Sequence, residues 1–81
     1  MTMHRRSKEL GTVVRSINED GGALCVDLFQ RSDGTFGYEE YRHDVETGEG
    51  WFPIGFYYET KFETLDAALE AAHASVKWLH R

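Results

Sequence analysis

Residues 23–45 read ALCVDLFQRSDGTFGYEEYRHDV, and this stretch decides the fold. Its first part alternates strictly, with Leu24, Val26 and Leu28 on one side and Cys25, Asp27 and Phe29 on the other. That period of two is the mark of a half-buried β-strand. Ser32-Asp33-Gly34 is hairpin-loop chemistry, and a second alternating run begins at Phe36 and Tyr38. Two strands joined by so short a loop pair antiparallel.

The second run carries a defect. Strict alternation from Phe36 and Tyr38 places Glu40 beside the aromatics and turns Tyr41 and His43 away from them. A β-bulge at Glu39-Glu40 repairs the pattern and gathers Phe36, Tyr38, Tyr41, His43 and Val45 on one face. The other reading is a strained or acidic active-site strand at those two carboxylates.

Working outward, Leu10 to Ile17 is rich in β-branched residues and reads as a preceding strand, closed by the turn residues Asn18-Glu19-Asp20-Gly21-Gly22. Downstream, Glu46 to Gly50 is a turn and Trp51 to Phe62 a fourth strand. Phe52, Ile54, Phe56, Tyr58 and Phe62 alternate onto one face of it, and Trp51, Gly55, Tyr57, Glu59 and Lys61 onto the other. Pro53 has no N–H to donate, so the start of that strand belongs at an edge. Thr64 caps a helix over 64–80, with Asp66 in its first turn. Leu65, Ala68, Leu69, Ala72, Val76 and Leu79 make its core stripe. Ala67, Ala71, Ala74 and Trp78 form a second apolar row beside it.

The expected class is α+β: an antiparallel meander of three to four strands with one C-terminal amphipathic helix packed on one face. Met1 to Glu9 reads as a flexible basic arm and residues 10–81 as a single domain. The predicted core is Leu24, Val26, Leu28, Phe36, Tyr38, Phe52, Ile54, Phe56, Leu65, Leu69, Ala72 and Val76. At 81 residues there is room for one such layer pair and no second core.

Composition narrows the function. One cysteine, Cys25, permits no intramolecular disulfide, and no apolar run approaches the roughly 20 residues that cross a bilayer. A cytoplasmic protein with no membrane contact is expected. Net charge is −5, and three of the nine basic residues, Arg5, Arg6 and Lys8, sit in the first eight. The remaining body is near −8 and repels phosphate, which disfavours nucleic acid.

No phosphate-cradling loop, nucleophile elbow or metal-chelating His or Cys pair is present. His73 and His80 are seven residues apart, about 10.5 Å along a helix, too far to share one metal. No catalytic residue, cofactor or metal is assigned, and a non-enzyme is expected. The functional hint is aromatic. Phe29, Trp51 and Tyr57, with Arg42 among the interleaved charges, are placed on the sheet face away from the helix. Such a face suits a protein contact or base stacking, or the rings simply brace the sheet. A protein-interaction module is the expected function, with nucleic-acid binding through that face and the basic arm as the alternative. The row Ala67, Ala71, Ala74 and Trp78 predicts a homodimer interface, because small residues admit a second backbone and Trp anchors interfaces.

Two resemblances accompany this reading. Phe36-Gly37-Tyr38-Glu39-Glu40-Tyr41-Arg42 running to Gly50-Trp51-Phe52-Pro53 resembles small uncharacterised bacterial proteins, the hypothetical class solved by structural genomics, and implies no activity. Tyr58 to Ala72, a strand ending in Phe-x-Thr and entering an Ala-rich helix, is similar to the strand–helix junction of AP2-type and phage-integrase arm-binding domains. That likeness implies DNA binding through a sheet, although the regular row of Arg that would meet phosphates is missing here.

Overall fold

The computed structural model describes residues 11–44 and 50–79. The expected basic arm, Leu10 and the turn at 46–49 lie outside the described residues. Four strands, β1 (Thr12–Asn18), β2 (Leu24–Gln30), β3 (Phe36–Asp44) and β4 (Gly50–Pro53), form one antiparallel sheet in the order β1-β2-β3-β4. Among the described residues one α-helix, α1 (Leu65–Ser75), packs on β2 and β3, and a 3₁₀ turn follows at Lys77–Leu79. The chain is therefore the α+β meander that the alternation and the helical stripe predict.

The core lies between sheet and helix, where Val26, Leu28 and Tyr38 meet Ala68, Ala72, Val76 and Leu79. Phe36, Leu65 and Leu69 pack against it half-buried. Thr64 caps the helix as expected: its hydroxyl accepts from Ala67 N–H at 3.1 Å, relieving an orphan donor of the first turn. The helix stops short of its expected end. Val76 is extended (φ −100°, ψ 110°), and its N–H closes the last turn on Ala72 O at 2.8 Å. The 3₁₀ turn then brings Trp78 and Leu79 back onto the core instead of carrying them along the helix row.

Three further expectations are corrected. First, β2 and β3 pair in unbroken register from Leu24↔Arg42 to Gln30↔Phe36, so there is no bulge at Glu39-Glu40. The irregularity is in β1, between Val13 and Arg15, and it leaves Val14 exposed. Second, β4 ends at Pro53; after Ile54 N–H closes on Glu40 O, the remainder of the expected strand regains backbone pairing with β3 at Phe62, which bridges Phe36. Third, Ile54 and Phe56 are not core but exposed, and Leu24 and Phe52 are only half-buried.

The face away from the helix is also buried. Cys25, Asp27, Phe29, Glu39 and Tyr41 are all inaccessible, and the register puts them on that one face. Gly37, opposite Phe29, makes room for this layer. A Cβ there would come within 2.8 Å of both the Phe29 ring and the Arg31 guanidinium. Ser16 Oγ donates to Asp27 Oδ1 at 2.6 Å, a hydrogen bond across β1 and β2.

Two outcomes follow. Leu28→Ala should lower unfolding stability by about 2–5 kcal/mol, and Leu69→Ala by clearly less because Leu69 is half-buried; equal losses in chemical denaturation would contradict the layer assignment. In the β2–β3 turn, the Thr35 hydroxyl and then its amide, at 2.7 and 2.9 Å, hold the Asp33 carboxyl down to about 2, with Lys61 adding a smaller pull. The folded value lies below the unfolded one. The stabilisation is therefore complete above the ordinary carboxylate range and disappears as pH falls toward about 2. An NMR titration of Asp33 should find that low midpoint, and Thr35→Val should raise it.

Candidate functional site

The residues singled out in the sequence do not share a surface. Phe29 is fully buried, with the Arg31 guanidinium 5.0 Å over its ring. Trp51 lies on the same face, half-buried and tilted against His43 at 5.0 Å. Arg42 is exposed, but the unbroken register moves it to the opposite face. Tyr57 also leaves that face. Its ring stacks on Tyr38 at 4.9 Å, and the Tyr38 hydroxyl donates to Ser75 Oγ at 3.0 Å on the helix side. Burial, followed by the charge of Glu40, raises the Tyr57 phenol above its ordinary value.

The expected interface row divides as well. Ala67 is half-buried, Ala71 packs against the core, and Ala74 is exposed. Trp78 lies beyond the helix end, and its indole N–H donates to Glu40 Oε2 at 2.9 Å.

The structure instead assembles a site at the β4 edge. Ile54 N–H donates to Glu40 O at 2.9 Å, and the chain next meets β3 where Phe36 and Phe62 exchange bonds of 2.7 and 2.8 Å. Residues 55–61 thus bow outward opposite residues 37–39, and their backbone groups lose the ladder. Buried backbone groups need other partners. Glu39 supplies the acceptors. Its Oε2 accepts from the N–H groups of Glu40 (2.9 Å), Gly55 (3.1 Å) and Phe56 (2.8 Å), and its Oε1 from Tyr58 (3.1 Å). Arg31 supplies donors, to the carbonyls of Tyr58, Thr60 (3.3 Å) and Phe36 (3.0 Å).

This clamp fixes an uncommon backbone. Phe56 has φ +57°, the left-handed region that costs a residue with a Cβ about 1–2 kcal/mol. Three of the backbone N–H groups that donate to Glu39 are those of Gly55, Phe56 and Tyr58, so the side chain grips the strained residue and both its flanks. Gly55 is required beside it, because a Cβ there would run into the Tyr57 ring. The loop therefore turns Tyr57 inward and Phe56 outward. Phe56 is 64% exposed, with the Tyr58 ring edge-on at 6.4 Å. Ile54, 42% exposed, extends the apolar surface.

Sequence reasoning missed this site because Ile54 and Phe56 continue an alternating pattern. The available signals were Pro53 and Gly55, which break a strand, and a carboxylate at the centre of β3. Among the described residues, no group of three or more His, Cys, Asp or Glu side chains is placed to hold a metal ion. No helix among them is long and apolar enough to cross a membrane. Comparison with protein-family models, curated proteins and solved structures finds no match.

Glu39→Gln tests the clamp. The amide has one acceptor oxygen, so at least one of these N–H groups loses its partner, at a cost of up to about 1–3 kcal/mol. Hydrogen exchange at Gly55, Phe56 and Tyr58 should accelerate while β1–β2 amides change little. Uniform acceleration across the sheet would refute a local clamp.

Proposed function

We propose that this chain is a non-catalytic protein-interaction module, working in the cytoplasm, whose contact element is the Ile54–Tyr58 loop. One observation carries the reading: a strained, largely exposed phenylalanine held in place by a buried carboxylate. Strain at an exposed side chain brings no stability, and strained backbone gathers where function requires it. A rigid aromatic is also an efficient anchor. Most of its ordering cost is met before binding, and buried rings dominate interface energetics.

The same geometry argues against catalysis by the carboxylate. Glu39 is inaccessible, and both oxygens already accept backbone N–H groups. It is poorly placed to take a substrate proton. Base stacking on the sheet face loses support too, since Phe29 is buried and Tyr57 is stacked on Tyr38.

Replacing Phe56 by Gly separates contact from stability. Glycine relieves the positive φ but gains entropy in the unfolded chain. Denaturation should show stability within about 1 kcal/mol of wild type, although a large aromatic is gone. Affinity capture should lose the proteins that wild type retains, while Glu70→Ala, exposed on the helix, keeps them. An unchanged set with Phe56→Gly would remove the loop from the contact.

A further inference from the structure

Cys25, Asp27, Phe29, Glu39 and Tyr41 share the sheet face away from the helix, and each is exposed by 1% or less. Among the described residues no helix or strand lies over that face, because α1 packs on the other one. Its margins have local cover. The Arg31 guanidinium lies over the Phe29 ring, the N–H groups of Gly55, Phe56 and Tyr58 close on Glu39, and His43 and Trp51 tilt together near Tyr41. The centre of the face is nevertheless as inaccessible as the margins. A tyrosine ring standing off a sheet is hidden from water only under a second layer. The burial is reached within one chain, so the layer belongs to the chain itself.

We infer that Met1–Leu10, the basic segment before β1, lies across this face as a strap. Position is the first support. The chain bends at Gly11, and a Cβ there would run into the backbone of Gln30 and Arg31. Only glycine admits so close an approach, so the chain enters β1 from against the end of β2 rather than from beyond the sheet. Reach is the second. Ten extended residues span up to roughly 33 Å, and a four-stranded sheet is only about 15 Å wide. Elimination is the third. Residues 45–49 join the paired Asp44 and Gly50 at one end of the sheet, whereas Phe29 and Gly37 pair toward the other. Leu79, which precedes the last two residues, belongs to the core on the helix side. Charge is the fourth: Asp27 and Glu39 place two carboxyl groups on the face, and the segment brings Arg5, Arg6 and Lys8 against the single acidic Glu9. The strap closes Phe29 to base stacking. It goes beyond the reading of the Phe56 loop and does not depend on it.

The test uses the full chain. A nitroxide is attached to the Ser7→Cys variant in a Cys25→Ser background, with Cys25→Ala used instead should that serine disturb folding. The nitroxide should erase the Tyr41 ring and Trp51 indole resonances, both remote from residue 7 in sequence. The amides of Glu70 and Ala74, exposed on the helix, should keep most of their intensity. Nitroxide-bearing chains without isotope are then mixed with isotope-labelled chains without nitroxide. That mixture should lose nothing, because the strap serves its own molecule.

Loss on both sides of the sheet alike, or on neither, overturns the inference. So does loss in the mixture, which would give the face to a second copy.

Discussion

A buried carboxylate stands where a strand should be. Beyond Ile54 the fourth segment leaves β3, and several backbone N–H groups lose their ladder partners at a partly buried edge. The Glu39 side chain reaches them from the middle of β3, and Arg31 answers the carbonyls. An unmet buried donor costs about 1–3 kcal/mol, and a domain of this size has only about 5–15 kcal/mol of stability. Without the clamp, the simplest alternative is for the segment to zip onto β3 as an ordinary edge strand. With it, the segment is held as a loop whose apolar residues face outward.

The two sheet edges are treated differently. β1 carries its irregularity at Val14, which twists an exposed edge and makes pairing with another strand less favourable. The β4 side ends its ladder after four residues and turns into the clamped loop. Among the described residues, neither edge offers a long flat row of backbone groups. What remains outward at the β4 edge is side-chain chemistry, the Phe56 ring.

Much of this architecture was legible in the sequence. Alternation in residues 24–30, the Ser32-Asp33-Gly34 loop and the Thr64 cap each report local geometry, and local geometry is what periodicity encodes. The helix end was less legible, because Val76 and Leu79 reach the core equally well from an extended cap and the 3₁₀ turn that follows it. The bulge was misplaced because the repair assumed that Tyr41 and His43, rather than Glu40, share the face of Phe36 and Tyr38. Glu39 is buried, and its donors lie at Gly55, Phe56 and Tyr58, 16 to 19 residues onward. No spacing rule links a strand carboxylate to a loop so distant. Phe56 was assigned to the core for the same reason: alternation separates two sides of a segment but does not say which side meets water.

The central claim is that Glu39 sets the Phe56 backbone, and the most direct measurement is the Phe56 amide-to-Hα NOE within its own residue. A positive φ brings those two protons close together. The account predicts a strong intraresidue NOE in wild type that weakens in folded Glu39→Gln as Phe56 returns to negative φ. A strong NOE that survives the substitution would contradict it, as would a weak one in wild type.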